Sequence, residues 1–155
     1  YEIIKCDWSS DVCSSDLGGS ENKSKFKMMN PSDNIVDWVL EMLPQMGAGW
    51  CPPGMLGIGI GGTAEKAALL AKESLMEPIN MYELLKRGPQ DKTEELRIEL
   101  YEKVNALGIG AQGLGGLTTV VDVKIKDFPT HAASLPEIAN MACSASSTAT
   151  FSPTR

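Results

Sequence analysis

Apolar and polar residues alternate along this chain in several distinct rhythms. After the turn-forming Asn30-Pro31-Ser32-Asp33, whose last residues can cap a helix, Ile35, Val36, Val39, Leu40 and Leu43 recur at helical spacing. Pro44 and Gly47 end that run. Met55 to Ile60 is short and continuously apolar, the pattern of a buried strand. Gly61-Gly62 then turns the chain, Thr63 can cap, and Ala64 to Met76 is filled with good helix formers up to Pro78. Met81 to Lys86 predicts a short helix closed by Gly88-Pro89. Thr93 to Leu107 is the clearest helix. Leu96, Leu100, Val104 and Leu107 form one stripe, Thr93 supplies the start and Gly108 the C-terminal cap. A second glycine-rich segment, GIGAQGLGG, follows. Val120, Val121, Val123 and Ile125 then predict a strand with Lys124 and Lys126 on its outer face. Residues 128 to 134 read as a loop, and residues 137 to 145 as a further strand. These elements predict an α/β domain, with α+β as the alternative: largely helical, with a small sheet carrying the glycine turns.

Composition adds limits. The chain has 155 residues, enough for one domain with a real core; 43% are hydrophobic and 22% charged, ordinary values for a globular protein. The formal net charge of −6 disfavours nucleic acid as a partner, because phosphate binding needs a basic face. No apolar run approaches the roughly 18 residues of a membrane span. No solenoid-type repeat is present.

The first 17 residues, YEIIKCDWSSDVCSSDL, lack periodicity, and CDWSSDVCSSDL resembles the in-frame translation of a short-read sequencing adapter. We therefore read residues 1–17 as an assembly artefact and residues 18–155 as a partial domain. Setting aside the one basic and four acidic residues of that segment leaves 13 basic and 16 acidic residues, a net charge of −3. Of four cysteines, Cys6 and Cys13 go with it, and Cys51 and Cys143 remain.

Two features carry candidate chemistry. Gly57, Gly59 and Gly62 fit the spacing G-x-G-x-x-G between a strand and a helix, the context of a dinucleotide turn. Gly108, Gly110 and Gly113 repeat that spacing in the opposite context, so glycine abundance accounts for much of it. The acidic residue expected about 20 positions later is also wanting, since Glu77 ends a helix. Two uses of the first run stay open: a helix N-terminus facing an anion, and close helix–sheet packing. The second feature is Cys51, followed by Pro52-Pro53, which restrict the backbone around it. On residue physics alone, a lone cysteine is more often a small buried hydrophobe than a ligand.

Longer segments change that balance. GGSENKSKF (18–26), the run from Asn30 to Met76 containing GAGWCPPGMLGIGIGGTAEKA, and the run from Glu94 to Ser134 ending in FPTHAAS resemble the α region of class I, iron–sulfur-dependent fumarate hydratases. The tartrate dehydratase α subunit shares that framework. The resemblance implies a [4Fe–4S] cluster held by three cysteines, with the open iron acting as Lewis acid in the reversible hydration of fumarate to malate. It implies that Cys51 and Cys143 are cluster ligands and that His131, the chain's one histidine, acts at the active site. It places Gly19, Asn22 and Lys23 near the substrate carboxylates, with Lys25 and Lys27 solvated. It further implies a dicarboxylate substrate, a β subunit or C-terminal β domain, an oligomer, and a cytoplasmic setting that protects the cluster. The family's first cysteine, in a motif with Gln-Asp-Thr-Gly and the carboxylate base, has no counterpart here. Ser147 stands where the family has an arginine. Two ligands without a base predict that this chain alone is inactive. The reading from another class is a nucleotide-binding module built on the Gly57–Gly62 turn.

Overall fold

The computed structural model describes residues 23–30, 32–131 and 135–143. Residues 1–17, the Gly18–Asn22 segment, Ala132–Ser134 of the FPTHAAS loop, and Ser147 with the surrounding tail lie outside the described residues. The elements run β1 (Lys23–Met29), α1 (Ile35–Gln45), β2 (Gly54–Gly61), α2 (Ala64–Ser74), α3 (Met81–Arg87), α4 (Lys92–Ala106), β3 (Val120–Phe128) and β4 (Leu135–Cys143). The strands form one mixed sheet in the order β1-β4-β2-β3. β4 is antiparallel to both β1 and β2, and β2 is parallel to β3. The α/β expectation holds.

Local chemistry sets the helix starts. Asn34 accepts a hydrogen bond from Val36 N at 2.9 Å, and Thr63 accepts one from Lys66 N at 3.3 Å. α4 begins one residue before Thr93, because Asp91, in extended backbone, accepts from Glu94 N at 2.7 Å. Pro44 lies inside the last turn of α1, where its missing N–H removes one bond and the helix runs on only to Gln45.

The sheet buries both faces. Leu56, Ile58, Ala139 and Met141 face Val39 and Leu43 of α1 and Leu100 and Val104 of α4. On the other face Ile138 packs with Ala67 and Ala71 of α2, and Met55 and Ala142 with Leu75. Here the first glycine run finds its use. A Cβ on Gly59 would stand 1.9 Å from the Ala67 carbonyl oxygen, and one on Gly57 would stand 2.6 Å from that of Ala71. α2 therefore lies on bare strand backbone. Gly57 and Gly59 sit within β2 and not at its turn, which removes the geometry a dinucleotide fingerprint needs.

One expectation needs correction. Lys124 is not on an outer face: it is 1% exposed. The segment between α2 and α3 covers it, and its Nζ donates to Pro78 O at 2.6 Å and to Asn80 Oδ1 at 2.7 Å. Asp122 lies 3.2 Å from Lys124 Nζ and 3.2 Å from an Arg97 nitrogen, so the buried cation has a buried counter-ion. Burial pushes the Lys124 ammonium below its usual range, against the pull of Asp122. Lys23–Met29 is also a strand, although its lysines hide the alternation. Lys25 and Lys27 are exposed, as expected, while Met29 reaches the core.

Glu137 stands apart. It is fully buried on β4, and neither carboxylate oxygen has a hydrogen-bond partner among the described residues. Strand alternation puts it on the same face as Ala139 and Met141. Burial raises its carboxyl to about 8, and Lys27, its partner across β1, pulls weakly the other way.

Two predictions follow from this packing. Gly59→Ala forces α2 off the sheet and is expected to cost about 3 kcal/mol or more in urea unfolding; a loss below about 1 kcal/mol contradicts the contact. For Glu137, the folded chain holds a proton that the unfolded chain releases above its ordinary pKa near 4.5. Stability therefore falls as pH rises from there toward 8. Glu137→Gln is expected to be more stable than the parent at pH 7, by on the order of 2 kcal/mol, with the gap closing at acid pH. A gap that does not change with pH contradicts this account.

Candidate functional site

The sheet's register determines which sequence-derived candidates meet. Gly54, at the start of β2, pairs with Cys143 at the end of β4. Cys51 is three residues upstream of Gly54, so the two cysteine positions share one end of the sheet. The close approach there depends on Gly54, where a Cβ would stand 2.5 Å from Ala142 O and 2.9 Å from the Trp50 ring. Lys23 pairs with Met141 and lies at the same end, on the neighbouring strand. Gly19 and Asn22 fall outside the described residues.

His131 is not brought to that end. It follows β3, whose last residue Phe128 pairs with Gly61. Its neighbour Thr130 donates to Gly62 O at 3.2 Å. Seven residue steps separate Gly54 from Gly61, roughly 23 Å at the rise of an extended chain. His131 therefore follows directly on the strand end beside the Gly61-Gly62 turn, at the opposite end of the sheet from Cys51.

The segment carrying Cys51 is a tight turn. Cys51 N donates to Ala48 O at 3.0 Å, and Cys51 itself has φ +57°, a region non-glycine residues seldom enter. The residue is half-buried and not in a disulfide. Next to it Trp50 is fully buried, and its indole N–H has no partner among the described residues.

Sequence reasoning missed what holds this turn. The segment Gly108–Gly116 folds against it: Gln112 N donates to Pro52 O at 2.8 Å, and Gly113 sits on Ala48. The signal was the second glycine cluster, whose repeated spacing served only to discount a nucleotide fingerprint and did not point to a neighbouring loop. Asn105 of α4 fixes the exit of that segment, accepting from Thr119 N at 2.7 Å and from Val120 N at 3.0 Å.

An iron–sulfur cluster can be tested against these residues. Thiolates are the donors such clusters take. A half-buried, unpaired thiol, with a second cysteine position across the strand pair, suits part of a ligand set. Among the described residues no group of three His, Cys, Asp or Glu could hold a metal ion, so the set is not complete there. No helix among them is long and apolar enough to cross a membrane.

Comparison with known proteins agrees with the segments that carry the resemblance. The putative L(+)-tartrate dehydratase subunit alpha of Methanocaldococcus jannaschii is 47% identical over 121 residues, covering 76% of this chain and 41% of that protein. The L(+)-tartrate dehydratase subunit alpha of Escherichia coli K12 is 32% identical over 129 residues, 81% of this chain and 41% of its own length. The chain thus spans about two fifths of the curated relatives it matches. The sequence pattern of the fumarate hydratase (Fumerase) family matches residues 13–152, and the chain belongs to that family of hydro-lyases.

Proposed function

We propose that this chain is the part of a class I hydro-lyase α subunit that supplies two of three cysteines to a [4Fe–4S] cluster, in an enzyme that reversibly hydrates fumarate to malate. The observation that carries the reading is the pairing of Gly54 with Cys143, which sets the Cys51 turn and the end of β4 side by side. Cys51 and Cys143 would hold the cluster, with the third ligand from outside the described residues. When bound, the cluster supplies Lewis acidity at its open iron, where a substrate hydroxyl can leave as hydroxide.

The chain's own residues add to this. Lys23 brings an ammonium to the same end, a fitting partner for a substrate carboxylate. Gly19 and Asn22 precede it in the sequence and are proposed to share that task. The base that removes the proton from the adjacent carbon lies outside the described residues, so this chain by itself is proposed to be inactive. His131 can donate to a developing anion. Its backbone lies beyond β3 and away from the Cys51 turn, so its active-site role is proposed from the resemblance alone. The relatives' names favour a second substrate, L(+)-tartrate, on the same chemistry. A companion β subunit and a reducing cytoplasm complete the proposal.

The test is anaerobic loading of a natural-length α subunit bearing this chain, together with its companion subunit, with iron and sulfide. Fumarate and L(+)-tartrate are then assayed separately. Cys51→Ser is expected to lose the visible absorption of the cluster and at least about 100-fold in turnover. Full retention of both refutes the ligand role, and the preferred substrate decides between fumarate and tartrate.

A further inference from the structure

Among the described residues, two that are not glycine have left-handed backbone: Cys51 at φ +57° and Gln112 at φ +54°. They lie 61 residues apart in the chain, yet their segments meet at one junction. Gln112 N donates to Pro52 O, the carbonyl immediately after Cys51, at 2.8 Å. On the other side of Cys51, Gly113 rests on Ala48: a Cβ at Gly113 would stand 2.8 Å from the Ala48 Cβ. Ala48 O in turn accepts from Cys51 N at 3.0 Å, closing the turn that carries the thiol. The Gln112–Gly113 pair therefore grips the Cys51 turn both before and after the cysteine.

The gripping segment is itself stiff. Gly113 N donates to Gly110 O at 3.1 Å, Gly115 N to Ile109 O at 2.9 Å, and Gly116 N to Gly108 O at 3.2 Å. Gly110 N donates to Thr119 Oγ1 at 3.3 Å, which ties the segment to the start of β3. A left-handed residue costs about 1 kcal/mol or more and persists only where its surroundings over-determine it. Two such residues meeting at one contact mean that the cysteine's backbone is imposed from outside its own turn.

We infer that Gln112 and Gly113 are positioning residues for the Cys51 thiol. They hold its backbone in the left-handed conformation, and they transmit to it the rigidity of α4 and β3. The inference rests on the cluster reading for its purpose. Its geometry concerns the iron-free chain, and there it can be tested separately.

The test uses the whole chain with Cys6, Cys13 and Cys143 changed to serine and the remaining cysteine labelled with carbon-13. In the parent, the Cys51 Cα and Cβ shifts are expected at left-handed values, and iodoacetamide is expected to react slowly. Gly113→Ala is expected to move both shifts and to raise the alkylation rate about three-fold or more. Leu114→Ala, on the same segment with its side chain in solvent, leaves both unchanged. Unchanged Cys51 shifts and rate in a folded Gly113→Ala chain overturn the inference. Should that variant not fold, Ala48→Gly loosens the same contact without adding bulk, and an unchanged Cys51 there overturns it equally. In the iron-loaded subunit, Gly113→Ala is expected to shift the cluster's reduction potential with its iron content retained. A parent subunit that takes up no iron sinks the cluster reading, while the thiol measurements still decide the positioning.

Discussion

The contact of α2 with the uncovered backbone of β2 is the constraint on which the rest hangs. Gly57 and Gly59 leave no side chain between helix and strand, so Ala67 and Ala71 can lie directly on the sheet. That sets β2 in the middle of the sheet, between β4 and β3, with Leu56 and Ile58 committed to the opposite face. Once β2 is fixed, its register with β4 follows, and with it the approach of the Cys51 turn to Cys143. A one-residue slip in that register would invert every side chain of β2, burying none of the right ones. The glycines thus bear on the candidate site from a distance, by fixing the strand that delivers it.

The two ends of the sheet differ in character. One end gathers Cys51, Cys143 and Lys23, with the Gly108–Gly116 segment packed against the cysteine turn. The other gathers His131, the Gly61-Gly62 turn and the start of α2. Between them, the outer edge of β3 is covered by polar groups of α4: Arg97 donates to Val123 O at 2.6 Å and Asn105 donates to Val120 O at 3.2 Å. Covering the edge in this way satisfies backbone groups that would otherwise invite another strand. Beneath the segment between α2 and α3, Asp122 and Lys124 are buried as a compensated pair, and Arg97 reaches Asp122 from α4.

Much of this was legible in the residues. Helical spacing from Ile35, the capping Thr63 and the apolar run at Met55 each identify their element, because burial of one face leaves a periodic trace. Lys23–Met29 was not legible as a strand, since a lysine-bearing edge strand has no apolar alternation to read. Lys124 was read as lying on an outer face for a related reason: alternation says which face a residue takes, and not what covers that face. For the site, the long family-like segments pointed to Cys51 and Cys143, and the register supplies their shared end. The grip of Gln112 and Gly113 on the Cys51 turn left only the glycine cluster as a trace, because a backbone hydrogen bond between distant loops depends on no side-chain type.

The most direct test of this arrangement asks whether the two thiols are neighbours before any iron is present. In a chain with Cys6 and Cys13 changed to serine, a short thiol-specific bifunctional reagent is expected to join Cys51 to Cys143 within one molecule, as read by peptide mass spectrometry. Chains in which both thiols react singly, with no link between them, would contradict the account.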